Sequence, residues 1–267
     1  MNDPKGDPSP IEVAWDEAAR GYDAYFSPRF APYLAAALGT LIGRSSDLPN
    51  PGSILVPCAG PGRELGLLAR AFPSRRILAS DLSGEMVKLA RANNARFANV
   101  SVEREDATQL RPPASPVAAL FSAFGLQLLP NPAVTLGSWL ELLAPKGLAV
   151  IVYWPRDTDD GGPFDVMHRL LAESFPADRA WQGELEASAR KASAHFREDV
   201  RVAFEMRHDD ARSVWQGLTR LGPLRALAQA RGQALIDQLG TRFEAAFPPG
   251  PVVHTPEARL LLIERAG

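Results

Sequence analysis

The stretch Ile54-Leu55-Val56-Pro57-Cys58-Ala59-Gly60-Pro61-Gly62-Arg63-Glu64 sets two glycines between an apolar run and a helical pattern. Glycine is needed where a ligand lies against the backbone, because a Cβ would collide with it or forbid the dihedral. Alone, a tight structural turn after a strand explains the same glycines nearly as well. Asp81 stands 19 residues past the last of them. There a carboxylate ending a second strand can accept hydrogen bonds from ribose hydroxyls. Asp106 adds an acid after a third strand. Either acid by itself reads as a helix cap or a solvated loop carboxylate. Turn, acid and acid after three successive strands converge at the carboxyl ends of parallel strands, where open α/β sheets bind ligands.

The hydrophobic pattern supplies elements to hold these groups. Residues 53–57 are apolar throughout, as a strand covered on both faces should be. Leu65, Leu68, Ala69 and Phe72 recur at i, i+3, i+4 and i+7, one helix face, and Pro73 ends it. Residues 76–80 predict a second strand, and Ser83 can cap a helix carrying Met86, Leu89 and Ala90. Residues 100–104 and 117–122 predict the next two strands. A helix bearing Leu136, Trp139, Leu140 and Leu143 is stopped by Pro145 and Gly147, and 148–153 is a fifth strand. Over 52–154 this alternation is the pattern of a parallel sheet with crossover helices. Beyond Trp154 come a polar glycine-rich loop at 157–163 and helix over 164–197, interrupted near Pro176. A strand over 200–206, helix over 211–247 and a last strand over 259–264 follow. No repeat or long linker divides the chain, so the expectation is one sheet with helical insertions.

With 267 residues the chain is long enough for one large domain and needs no staples. A net charge of −2 gives no footprint for nucleic acid or a membrane surface. The single cysteine, Cys58, cannot form an internal disulfide, which suits a reducing, cytoplasmic setting. One cysteine and four histidines argue against a structural zinc site, and no metal is expected. Residues 1–10 form a polar lead, expected to be disordered and without the apolar core of a signal peptide. The apolar runs at 31–43 and 117–129 are too short to span a bilayer. The expected divisions are N-terminal helices (11–50), a cofactor core (51–155), a cap with the sixth strand (156–250) and the last strand (251–267).

These motifs resemble those of the class I S-adenosylmethionine-dependent methyltransferases, specifically the ubiquinone/menaquinone-biosynthesis and small-molecule group, over roughly residues 12–155. The resemblance implies an α/β, Rossmann-like, doubly wound, mostly parallel seven-stranded sheet with an inserted helical cap over the C-terminal strand edge. It also implies S-adenosylmethionine as cofactor, S-adenosylhomocysteine as product, and a small-molecule acceptor; a homodimer is compatible with it. In the family's acid-x-Gly-x-Gly-x-Gly motif, Val56 stands at the acid, Cys58 at the first glycine, and Gly60 and Gly62 at the others. Asp81 matches the ribose-binding acid, with Leu82 and Met86 beside it, and Asp106-Ala107 matches the pair that meets the adenine amino group. Ser122 and Phe124 fall in the fourth-strand motif that passes the sulfonium, and Leu143-Ala144-Pro145-Lys146-Gly147 resembles a further family turn. Residues 15–23, with Tyr22, resemble the segment that folds over the methionine end. Val56 and Cys58 depart from the pattern. The first removes an acid that helps hold the methionine portion and the second narrows the pocket floor, leaving Arg20, Tyr22 or Arg29 to hold that end.

Other readings of the glycines fail. No Gly-Lys-Ser/Thr follows, as a P-loop needs, and the last glycine of a nicotinamide-binding turn is missing. Ser122-Ala123-Phe124-Gly125 is unlike the Asn/Asp-Pro-Pro-aromatic sequence of adenine-directed nucleic-acid methylases.

Methyl transfer is an in-line displacement, and a hydroxyl acceptor gains from a base with a pKa near the working pH. His168, following the 161–163 loop, is the first candidate; packing or surface exposure is the competing account. His195 and His208 sit among charges and read as solvated, and His254 as structural. Tyr153 and Trp154 are placed to wall an acceptor pocket or to pack in the core, and Gln127 to orient a polar group. Apolar cap residues including Phe164, Met167, Trp215 and Leu218 favour a hydrophobic acceptor where helix burial does not absorb them. The expectation is O-methylation ahead of C- or N-methylation, in specialised metabolism. A peptide or carrier-bound acceptor is the alternative, and from another class, a non-catalytic cofactor-binding scaffold.

Overall fold

The structure, a computed structural model, describes residues 8–155, 157–173 and 180–267. The first seven residues of the polar lead, Phe175 and the expected helix break near Pro176 lie outside these. The main sheet contains β1 (Ser53–Pro57), β2 (Ile77–Asp81), β3 (Val100–Arg104), β4 (Val117–Ala123), β5 (Leu143–Tyr153), β6 (Ala194–Ala203) and β9 (Glu257–Arg265). Its order is β3-β2-β1-β4-β5-β9-β6. The first five strands run parallel, and β9 enters antiparallel between β5 and β6. All five residues of β1 are buried, as a central parallel strand covered on both faces requires. The order reverses at β1/β4, so the turn after β1 opens into the crevice at the switch point.

Helices α2 (Leu65–Ala71), α3 (Gly84–Asn94) and α4 (Pro132–Glu141) make the crossovers. Ser83 caps α3 as its sequence predicts, its Oγ accepting the Met86 N–H at 3.1 Å. The expected N-terminal helices are one helix, α1 (Pro10–Gly43), capped by Ser9 and containing Pro28 and Pro32. An interior proline costs about 3 kcal/mol. Phe26, Phe30, Tyr33, Leu34, Ala37 and Leu41 are all buried from this helix. At about 1.5–3 kcal/mol for each large side chain, their burial outweighs both prolines.

The second half departs from the sequence pattern in detail. Helix stops at α6 (Trp181–Lys191) instead of running to 197, because Ser193 turns the chain with φ +54°. The strand expected at 200–206 begins at Ala194 and ends at Ala203, and a separate β7 (Met206–His208) follows. A register shift between Phe196 and Glu198 breaks the alternation that would have revealed β6. The helix expected over 211–247 is three: α7 (Ala211–Leu218), α8 (Gly222–Arg231) and α9 (Gln233–Glu244), the last two parted by Gly232 at φ +88°. α5 (Pro163–Ala172) follows the glycine-rich loop, and β8 (Val252–His254) pairs with β7 in a small second sheet. Phe164, Met167, Trp215 and Leu218 are buried in the core, so helix packing absorbs the apolar surplus of the cap. Among the described residues, no helix is long and apolar enough to cross a membrane.

Candidate cofactor site

Three alternate residues after β1 take left-handed backbone: Cys58 at φ +53°, Gly60 at +52° and Gly62 at +68°. The two glycines serve different ends. A Cβ on Gly60 would meet nothing within 4 Å, so its backbone faces open space. One on Gly62 would strike Leu65, Ala90 and Asn94 within 3.0 Å. Gly62 therefore lets α2 close on α3, and Asn94 Nδ2 donates to its carbonyl at 2.8 Å.

Cys58 is tolerated because Gly125 makes room: a Cβ there would fall 2.4 Å from the Cys58 Cβ. The thiol thus packs toward the segment after β4. Burial, with Asp81 and Asp106 nearby, pushes its pKa up and keeps it neutral. A non-glycine residue in this conformation costs about 1–2 kcal/mol. Cys58→Gly is therefore expected to raise or leave unchanged the melting temperature. A fall in a thermal unfolding scan would show that thiol packing against Gly125 outweighs the strain.

Asp81 ends β2 with both oxygens engaged. Oδ2 accepts the Gly60 N–H at 2.8 Å and Oδ1 the Ser83 N–H at 3.0 Å. Burial pushes its pKa up to about 6 against the pull of those N–H groups. Helix α1 lies across this edge: Asp16 Oδ1 accepts the Ser83 hydroxyl at 2.5 Å and the Glu85 N–H at 3.0 Å. Glu12 pairs with Arg104, and Asp23 takes two hydrogen bonds from Arg63 at 2.7 and 2.6 Å. Tyr22 is thereby held against the turn, its pKa raised by burial and then by Glu64, Asp81 and Asp23. Glu64, not singled out by spacing, is half-buried, and desolvation, with a contribution from Asp81, pushes its pKa up to about 7.

The remaining expected cofactor residues line the same strand ends. Asp106 is exposed, its Oδ1 accepting the Thr108 N–H and hydroxyl, both at 2.8 Å. The Ala107 carbonyl accepts from Trp139 Nε1 at 2.7 Å. Leu82 is half-buried and Met86 buried. Ser122 Oγ and Ser80 Oγ, at the ends of β4 and β2, are buried without a hydrogen-bond partner. Phe124 is left-handed at φ +61° and stacks on Trp154 with ring centroids 4.4 Å apart. A strained aromatic at a strand end is the kind of outlier that concentrates at functional sites.

The expected acceptor residues divide. Trp154 joins Phe124, Phe30 and Tyr33, whereas Tyr153 packs on Trp181 in the opposite core. Gln127 Oε1 accepts the Trp154 N–H at 2.7 Å and so braces that indole. His168 is half-buried on α5 and His195 is exposed on β6. His208, expected to be solvated, is buried. Folding brings Tyr25 within 2.6 Å of its Nδ1 and His254 within 3.1 Å of its Nε2. His254 Nδ1 in turn lies 2.8 Å from Asp159. Four residues from four segments thus form one buried chain that no local pattern signals.

A glycine turn with open space above it, Asp81 at the next strand end, and two unpartnered buried hydroxyls fit a ribose-bearing cofactor. Two acids beside the turn fit one that carries positive charge, as a sulfonium does. This site on this sheet order defines the Rossmann-like methyltransferase class. The family described as "Methyltransferase domain" matches residues 54–147. Trans-aconitate 2-methyltransferase of Azoarcus sp. (strain BH72) is 29% identical over 237 residues, 83% of this chain and 88% of the relative. The enzyme of that name from Streptomyces coelicolor is 30% identical over 188 residues, 68% of this chain and 54% of that relative. Phosphoethanolamine N-methyltransferase 2 of Haemonchus contortus, solved with phosphomonomethylethanolamine and S-adenosylhomocysteine, shares the fold. Its TM-score is 0.57 at 14% identity, covering 98% of this chain and 62% of that one. The present chain is a class I S-adenosylmethionine-dependent methyltransferase.

Proposed function

We propose that the enzyme transfers the methyl group to a carboxylate oxygen of a small organic acid, giving a methyl ester. The observation that carries this is a pair of guanidiniums around Tyr25, one turn along α1 from Tyr22. Arg29 lies 3.9 Å and Arg220 5.8 Å from the Tyr25 ring centre. Among the described residues neither forms an ion pair; Arg29 donates through its terminal nitrogens to the Tyr25 and Arg207 carbonyls, and its Nε is buried without a hydrogen-bond partner. Arginine is the residue suited to planar recognition of a carboxylate. The names of the Azoarcus and Streptomyces relatives support an acid as acceptor.

The bound cofactor supplies an electrophilic methyl group on a sulfonium. Asp81 takes the ribose hydroxyls, Asp106 the adenine amino group, and Phe124 with Trp154 excludes water beside the reacting atoms. The O–CH3 bond forms as the S–CH3 bond breaks, and alignment alone can supply about 7–11 kcal/mol of the barrier. A carboxylate is already ionised at neutral pH, so the step needs no general base. His168→Asn is accordingly expected to change kcat by less than about threefold at pH 7.5 in a methyl-transfer assay. A loss of a hundredfold would restore His168 as a base.

The test is to offer a panel of small di- and tricarboxylic acids, phenols and amines with labelled S-adenosylmethionine, then treat the products with alkali. A carboxylate ester releases methanol, whereas an aryl ether or N-methyl product does not. Label that stays fixed in alkali for every accepted substrate overturns the proposal.

A further inference from the structure

The resemblance places an acid at position 56, but Val56 is 1% exposed, within the core, and offers no charge. The methionine portion of the cofactor ends in an ammonium, and something must receive it. Arg20 and Arg29 carry the wrong charge for an ammonium.

Glu64 has the right charge in the right place. It follows Gly62 by two residues at the start of α2, on the side of the turn covered by Tyr22 and Asp81. The neighbouring guanidinium, Arg63, is committed to Asp23. Among the described residues no ion pair or hydrogen bond ties the Glu64 carboxyl to another side chain. Two half-buried carboxyls, Glu64 and Asp81, thus lie on one side of the turn, neither ion-paired to a cationic side chain among the described residues, and their mutual repulsion favours a positively charged ligand there. Gly60, whose backbone faces open space, leaves room for that ligand at the same turn.

We infer that Glu64 receives the α-ammonium of the cofactor's methionine portion, standing in for the acid missing at position 56. This rests on the assignment of the glycine turn as the cofactor site.

Calorimetric titration with two nucleosides tests it. S-adenosylhomocysteine carries the amino-acid end, and 5′-methylthioadenosine is the same thioether nucleoside without it. In Glu64→Gln, the affinity for S-adenosylhomocysteine is expected to fall at least tenfold, with that for methylthioadenosine within twofold of wild type. Retained methylthioadenosine binding also reports that the variant is folded. Equal losses for both ligands, or no loss for either, would overturn the inference. Failure of the wild-type protein to bind either nucleoside would instead remove the site assignment beneath it.

Discussion

Asp81→Ala is expected to weaken binding of both S-adenosylhomocysteine and methylthioadenosine at least tenfold, since in the proposed site Asp81 serves the ribose and not the amino-acid end. Two losses combine. The Gly60 and Ser83 N–H groups lose their acceptor, and an orphaned buried donor costs about 1–3 kcal/mol. The ribose hydroxyls lose charge-assisted hydrogen bonds, roughly twice as strong as neutral ones. Since 1.4 kcal/mol is tenfold in affinity, loss of the ribose hydrogen bonds alone approaches the expected effect, while the orphaned N–H groups weaken the turn in free and bound protein alike. The pH dependence carries the same signature. The free carboxyl is pushed up to about 6 by burial, and hydroxyl donors favour its ionised form, so the complex binds fewer protons than the free enzyme. Affinity for methylthioadenosine should then fall as pH drops through about 6 and level off above 7, and Asp81→Asn should flatten the profile. Unchanged affinity in Asp81→Ala would remove the site assignment.

What the sequence made legible is local. The turn at Gly60 and Gly62, Ser83 as a cap, and β3 at its full length each depend on neighbours a few residues apart. Periodicity and cap chemistry report such neighbours directly. The first half of the edge strand β6 was hidden because its register shift removes the period-two signal there. Glu64 was invisible as a site residue because a glutamate opening a helix looks ordinary until the fold half-buries it near Asp81. His208 misled for the converse reason. Its sequence neighbours Arg207 and Asp209 suggest solvent, whereas its spatial neighbours come from α1 and β8. Tyr153 and Trp154, adjacent in sequence, face opposite cores because successive strand side chains alternate.

Asp159→Ala is expected to destabilise the fold strongly at a distance from the cofactor turn, because one carboxylate oxygen ends the whole chain. Asp159 Oδ2 lies 2.8 Å from His254 Nδ1 and accepts the Phe164 N–H at 3.0 Å. The anion fixes the proton of His254 on Nδ1, which leaves Nε2 to accept from His208 Nε2–H and His208 Nδ1 to accept from the Tyr25 phenol. Burial, then Arg29 and His254, push His208 down to about 4, so its imidazole is neutral at pH 7. Every donor in the chain therefore points toward Asp159. Removing it orphans two buried N–H groups and unfixes the tautomers behind them, a cost of about 2–5 kcal/mol. At roughly 2–4 °C per kcal/mol for a domain of this size, the melting temperature should drop by about 5–15 °C. Tyr25→Phe removes only the distal bond and should cost about 1 kcal/mol. Equal losses in a calorimetric scan of the two variants would contradict this direction of the chain. Since a depressed histidine pKa means that the folded state binds fewer protons, the His208 contribution is present above pH 6.5 and is lost as pH falls toward 4. The chain fastens α1 to β7, β8 and the loop before α5, and α1 carries the Tyr22 that closes the cofactor turn. Loosening its far end should therefore also weaken S-adenosylhomocysteine binding without touching a residue that meets the ligand.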